Sequence, residues 1–379
     1  MNQNQNNGTS KKAMDQESLL AIFLIGLIVF FLIMTPVLLL QSCGAEDQLP
    51  NDTQGDSQSE SESETLPPPP ISVPVFSGGV GVKVPNPSAA TVTLLGEIDA
   101  QYAILIRADS GEILAQKNAE TAFSPASMTK VMTLIVACEY FAEKDLDRRL
   151  VLSAEVVDYV TSGNYLGTEV ALPTESNGIT CIGDTYSIKD LLYGIGVMSA
   201  ADCTYMIVRE VAETEQNFVD MMNAKAEALG LVGTHFDNAV GFDSATNVTT
   251  ASDMAMIMAY AMQCDLIVDI LKPRSERMQI QAYYEHDGET KSYPVYLKPS
   301  IKSRMDKYPE FSLSGVTLQA TKTGYTNESF IVASAVSKTT GACYILVLGD
   351  VKGETEESLT QKFKNTMVDM EFLFNTYAS

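Results

Sequence analysis

Residues 19–40, LLAIFLIGLIVFFLIMTPVLLL, run for twenty-two positions without a charge, and no other stretch constrains the organisation of the chain so strongly. At 1.5 Å rise per residue the run makes roughly 33 Å of helix, enough to cross the hydrocarbon core of a bilayer. Lys11 and Lys12 precede it, and no Lys or Arg follows until Lys83. The positive-inside rule therefore places residues 1–18 in the cytoplasm and everything beyond residue 40 outside it. The apolar stretch is longer than that of a cleaved signal peptide, so a retained transmembrane anchor over 19–40 is expected.

An alternative tether is lipidation at Cys43, because Leu40-Gln41-Ser42-Cys43 is similar to a lipoprotein processing box. Residues 41–87 read as a linker. Between 44 and 70, Glu46, Asp47, Asp52, Asp56, Glu60, Glu62 and Glu64 stand among Ser, Gln and Gly, with almost nothing apolar to form a core. Pro67 to Pro70 stiffen its end as polyproline II. Residues 88–379 remain as one globular domain.

Charge and composition narrow the chemistry. Lys+Arg number 25 against Asp+Glu 48, a net charge of −23, which argues against binding nucleic acid. Six cysteines without a C-x-x-C pair exclude a small disulfide scaffold and the common zinc spacings. Only His235 and His286 are available, far apart in sequence, so a multi-histidine metal site or a histidine relay is not expected. No metal and no cofactor are expected; catalysis would fall to Ser, Lys, Asp, Glu or Tyr. His235 and the cysteines beyond Cys43 read as structural groups.

Within the domain, Tyr102–Arg107 and Glu112–Gln116 flank Asp109-Ser110-Gly111 and predict a hairpin. Ser127–Glu143 predicts a helix buried on most sides, followed by helices at Ile188–Met198, Ala201–Glu213 and Gln216–Leu229. Leu318–Gly324, Phe330–Ser337 and Cys343–Leu348 predict three strands, and Glu356–Tyr377 a closing helix. Strands at both ends with helices between them indicate an α+β fold around an antiparallel sheet.

Three short motifs carry candidate chemistry. Ser127-Met128-Thr129-Lys130 puts a hydroxyl and an amine three residues apart on one helical face. A helix N-terminus and apolar neighbours would help keep Lys130 neutral enough to take the Ser127 proton. Alone, the pattern reads equally as a capped helix with an exposed Lys. Ser199, at the break between two helices, is either a proton relay or an N-cap. Lys322-Thr323-Gly324, on a strand, offers a cation and a hydroxyl for a carboxylate, with a glycine that permits close approach.

Taken in this order, with Asp109–Leu114, Ser124–Thr133, Asp190–Gly194, Thr234–Asn238 and Lys322–Thr326 around them, the motifs make residues 95–377 resemble the serine D-alanyl-D-alanine carboxypeptidases, the low-molecular-weight penicillin-binding proteins. The resemblance implies a β-lactamase/transpeptidase-like fold, peptidoglycan stem peptides as substrates and β-lactams as covalent inhibitors. It implies Ser127 as nucleophile, Lys130 as general base and Ser199 as proton relay. It further implies Lys322, Thr323 and Gly324 as the substrate-binding strand, and the backbone N–H groups of Ser127 and Tyr325 as an oxyanion hole.

Two departures from the family pattern stand out. Ala201 occupies the place of the usual Asn in Ser-x-Asn, and Asn327-Glu328-Ser329-Phe330 lacks a glycine that usually follows Lys-Thr-Gly-Tyr-Thr. Losing one amide contact costs roughly 0.5–3 kcal/mol, a few-fold to a few hundred-fold in rate. A slow enzyme is therefore expected. The alternatives are a penicillin-binding scaffold that has lost turnover, or a β-lactamase, for which no flanking motif identifies a water-activating Glu. No C-terminal β-domain or C-terminal anchor is expected, so attachment falls to the N-terminus.

Overall fold

In the computed structural model, residues 81–141, 146–161, 169–176, 179–352 and 358–378 are described; the apolar run 19–40 and the linker up to residue 80 lie outside them. The first strand, β1 (Asn86–Thr93), begins just ahead of the expected boundary at 88. The predicted hairpin forms as β2 (Ala100–Arg107) and β3 (Glu112–Lys117), with Gly111 at φ +75° in its turn. Three further short pieces, β4 (Arg149–Val151), β5 (Glu175–Ser176) and β6 (Ile179–Thr180), precede β7 (Thr185–Ser187). A second hairpin is made by β8 (Met278–His286) and β9 (Glu289–Leu297). The three C-terminal strands are β10 (Val316–Tyr325), β11 (Ser329–Ser337) and β12 (Cys343–Val351).

The main sheet has the order β1-β3-β2-β12-β11-β10, so strands from the two ends of the domain lie side by side at its centre. The expected antiparallel sheet forms, with one parallel pair, β1–β3, added at its edge. The central strands read as continuous apolar runs because both faces are covered. Ile104, Ile106, Val332, Ile345 and Val347 belong to one core. Their alternating neighbours Ala103, Leu105, Ile331, Ala333, Leu346 and Leu348 belong to another, with Met367, Met370, Leu373 and Phe374 of the closing helix. This is the two-residue period of a strand split between two layers.

The helices are α1 (Lys130–Tyr140), α2 (Ala154–Thr161), α3 (Ile188–Tyr193), α4 (Ala201–Ala212), α5 (Glu215–Ala228), α6 (Ala251–Ala261), α7 (Asp265–Leu271), α8 (Ser300–Met305) and α9 (Leu359–Tyr377). No single helix among the described residues is long and apolar enough to cross a membrane. The run Ser127–Glu143 is not one α-helix: Ala126–Thr129 is a 3-10 turn that leads into α1. Likewise Ile188–Met198 divides into α3 and a π-helical stretch, Gly194–Met198. Gly194 makes that stretch possible, since a Cβ there would sit 2.4 Å from Cys203 Sγ.

The segment leading to Ser127 is anchored on the sheet. Phe123 stacks between Tyr102 and Phe330, with ring centroids 4.9 and 6.1 Å away, and exchanges backbone hydrogen bonds with Thr249. Two helices are tied to α1 by one buried polar cluster. Lys225 Nζ of α5 pairs with Glu139 Oε1 of α1 at 2.7 Å, and Tyr260 of α6 donates to the same oxygen at 2.6 Å.

Glu139 is only 5% exposed, so removing its cation strands a charge in the interior. Lys225→Met is expected to lower the unfolding free energy by about 3–5 kcal/mol in urea titrations, and Lys225→Met with Glu139→Gln to recover most of the loss. A loss below about 1 kcal/mol, the value of an exposed pair, would show that the cluster does not hold the helices together.

Candidate active site

Ser127 sits on the 3-10 turn ahead of α1, and Lys130 is the first residue of the α-helix. One turn of helix brings Lys130 Nζ to 3.1 Å from Ser127 Oγ. Lys130 is 2% exposed. Burial pulls its ammonium down to about 7 from the usual 10.5, against the opposing field of Glu169. The amine also donates to the carbonyl oxygen of Val240, which leaves its remaining valence directed elsewhere. Thr133, one turn further along α1, donates to the Ala239 carbonyl at 2.7 Å. The same helical face thus holds the loop that orients the lysine.

That loop is shaped by Asn238, whose Oδ1 accepts from the N–H groups of Gly241 at 2.7 Å and Phe242 at 2.8 Å. Gly241 has φ +75°, and a Cβ on it would lie 2.0 Å from the Ala126 carbonyl oxygen. Only glycine lets the loop close this tightly on the turn that carries Ser127. Ala126 itself has φ +48°, a left-handed conformation that costs an L-residue roughly 1–3 kcal/mol.

Across the cleft, Ser199 caps the π-helical stretch at φ +65°. Its Oγ accepts from Lys322 Nζ at 2.9 Å, and that amine also donates to the Thr323 carbonyl at 2.7 Å. Ser199 is therefore not acting as an N-cap: α4 has Ala200 in that position. Thr323 Oγ1 donates to Ser300 Oγ of α8 at 2.8 Å. Lys322 is wholly buried, and burial, then the charges of Lys130 and Arg304, hold its ammonium well below the ordinary lysine range. A carboxylate arriving beside it favours the charged form again.

The sequence-derived residues are thus brought together: Ser127, Lys130, Ser199, Thr323, Gly324 and Tyr325 all line one cleft of about 690 Å³, and Lys322 lies behind its wall bonded to Ser199. Gly324, which lines the cleft, also has a packing use within the chain. A Cβ there would meet Ala126 Cβ at 3.0 Å and Ser127 N at 3.3 Å, so the glycine lets strand β10 approach the backbone of Ser127. The position of Ala201 is not an open gap either. Ala201 is fully buried and packs in a small apolar cluster with Val160 and Val240.

Arg304 was not evident from sequence. Fully buried, it donates through Nη2 to the Gly324 carbonyl at 2.5 Å and through Nη1 to Ser329 Oγ, with Phe363 stacked 4.4 Å from its guanidinium carbon. Burial lowers it to about 9, still charged at neutral pH. Ser329 lies in the segment that lacks the usual glycine, and its hydroxyl is 2.7 Å from Thr366 Oγ1. The departure thus supplies a polar anchor beneath the cleft. One Arg on a short helix carries no sequence signal for this role. Among the described residues no cluster of His, Cys, Asp and Glu could hold a metal ion.

Gly241→Ala is expected to lower stability by more than about 1 kcal/mol, because both its φ and the Ala126 carbonyl oppose a side chain, and to displace Ser127 enough to cut labelling by a serine-directed β-lactam at least tenfold. Near-normal stability and labelling would show that the loop does not set the nucleophile's position.

The sequence profile described as D-alanyl-D-alanine carboxypeptidase matches residues 86–351. D-alanyl-D-alanine carboxypeptidase DacF of Bacillus subtilis is 26% identical over 283 residues, covering 74% of this chain and 63% of that protein. DacC of Escherichia coli is 32% identical over 162 residues, 42% of this chain and 38% of that protein. The chain therefore aligns with less than two thirds of either relative. Among solved structures, a mutant of the Streptomyces K15 DD-transpeptidase superposes with a TM-score of 0.57 at 21% identity, covering 73% of this chain and 98% of that one. Penicillin binding protein 5 from Haemophilus influenzae gives 0.53 at 22% identity, with 74% and 72% covered. These likenesses establish a transpeptidase-like α+β fold. With the match over 86–351, the chain belongs to the D-alanyl-D-alanine carboxypeptidase family.

Proposed function

We propose that the protein is a membrane-tethered serine D-Ala-D-Ala carboxypeptidase that removes the terminal D-Ala from peptidoglycan stem peptides on the outer side of the membrane. One observation carries the reading: a serine hydroxyl lies 3.1 Å from a buried lysine held down to about 7, near the value that suits a general base at neutral pH. Lys130 accepts the proton as Ser127 Oγ attacks the penultimate D-Ala carbonyl. Oxyanion charge falls to the N–H groups of Ser127 and Tyr325. The C–N bond breaks as the proton passes through Ser199 to the departing amine, leaving an ester on Ser127 that water hydrolyses.

Lys322, Thr323 and Ser300 supply a cation and two hydroxyls for the terminal carboxylate, and the strand Lys322–Tyr325 is stiffened from behind by Arg304. β-Lactams, which present a carboxylate and a strained amide together, acylate the same serine. Ala201 supports a second reading, a site that is acylated but turns over slowly or not at all.

Incubation with a penicillin is expected to add one penicilloyl group to the peptide containing Ser127, seen by mass spectrometry, and Ser127→Ala is expected to abolish it without unfolding the domain. Release of D-Ala from a D-Ala-D-Ala peptide is expected to be slow but measurable. An adduct surviving Ser127→Ala refutes the assignment; an adduct with no D-Ala release favours the scaffold. Rapid regeneration of free enzyme from penicillin favours a β-lactamase.

The tether rests on the uncharged run 19–40 behind Lys11 and Lys12. Protease added to intact cells is expected to cut first within residues 44–70, where acidic and small residues offer no packed structure. A domain protected until the cells are lysed would reverse the topology.

A further inference from the structure

The second motif does more than present Ser199. At the start of α4 the Ala201 N–H donates to the Glu169 carbonyl at 2.8 Å. Its neighbour Asp202, buried in the first turn, accepts from the N–H groups of Ala171 at 3.0 Å and Leu172 at 2.7 Å. These bonds clamp residues 169–172 onto the helix that follows the motif. As a result Glu169 stands on the wall of the cleft, in the company of Ser127, Lys130 and Ser199. Ala201, meanwhile, offers the cleft no polar atom beyond its backbone, and its methyl is spent on Val160 and Val240.

We propose that Glu169 is a positioning residue for the Ser127–Lys130 pair: held by the Ala201–Asp202 clamp, its carboxylate is the polar neighbour that the motif lacks at Ala201, and it governs how readily Lys130 takes the serine proton. The inference rests on the acyl-enzyme reading given above.

The charged groups around Lys130 make the direction of the effect definite. Lys322 of β10 interacts with it from behind the wall of the cleft, which Arg304 of α8 and Lys298 of the turn before α8 also line; the acids lining the cleft are Glu169 and, in the loop after Val240, Asp243. Burial drives both lysines towards neutrality, and Glu169 opposes this for each. Without that negative charge Lys130 stays neutral to lower pH but becomes a weaker base. Acylation by Glu169→Gln should then persist further into acid and reach a lower plateau than wild type.

The test is the pH dependence of the second-order rate of penicillin acylation at Ser127, measured on the full chain for wild type, Glu169→Gln and Glu169→Asp. Glu169 is exposed, so neither change threatens folding. The expected result is an acid limb displaced to lower pH with a reduced plateau for Gln, and a limb nearer wild type for Asp, which keeps the charge. A limb that does not move in Gln, or moves equally in Gln and Asp, overturns the role. So does an unmoved limb accompanied by slower loss of the penicilloyl group in Gln, which would assign Glu169 to activating water instead. Those outcomes leave the proposed function standing; a wild-type chain that forms no Ser127 adduct at any pH removes both.

Discussion

The site depends on one buried amine. Lys130 Nζ lies between Ser127 Oγ and the Val240 carbonyl, inside an interior that penalises its charge. An isolated buried ammonium costs several kcal/mol unless it is paired or neutralised. Here burial outweighs the opposing field of Glu169 and leaves the lysine near neutrality, and the Val240 carbonyl fixes its orientation. The same desolvation that would destabilise an ordinary lysine is what suits this one to the base's part in the proposed reaction. Much of the surrounding architecture serves to keep that amine dry and aimed: the Asn238–Phe242 loop, the Thr133 bond to Ala239, and the strand β10 pressed against Ala126 and Ser127.

Keeping three motifs within hydrogen-bonding distance places the backbone in conformations that L-residues seldom adopt. Ala126 and Ser199 both have positive φ, and each adjoins or is a residue of the site. The strain is tolerated because the neighbours leave no alternative. Gly241 and Gly324 bring backbone against the Ala126–Ser127 turn, while the π-helical stretch Gly194–Met198 throws Ser199 out of helical register towards Lys322. π-Bulges occur often at functional positions for this reason. Beneath the strand, Arg304 and Phe363 give a buried cation two hydrogen-bonding directions and an aromatic face, so the floor of the cleft is rigid where substrate would press on it.

Much of this was legible in the sequence, and unevenly so. The central strands announced themselves as apolar runs, and Ser127, Lys130, Ser199 and Lys322 through motif order, because those signals are local. α6 gave no amphipathic period to read, being apolar on nearly all sides and almost wholly buried. The β8–β9 hairpin carries Asp287-Gly288 with φ +54° and +77°, a turn signal of the kind that favours two-residue hairpins and is legible in the sequence. Arg304 and Glu169 act across long stretches of chain, and nothing in their immediate neighbours marks them. The parallel pairing of β1 and the apolar packing around Ala201 are likewise tertiary facts, set by what lies opposite rather than by the residues themselves.

The central claim is that Lys130 is near neutrality in the folded protein, and a direct titration tests it. In the full chain labelled with ¹³C at lysine side chains, the Cε resonance lost in Lys130→Gln should titrate with a midpoint of about 7. A Lys130 resonance that stays protonated until about pH 10 would contradict the account, since the serine's neighbour would then carry its proton throughout the physiological range and have no capacity to accept another.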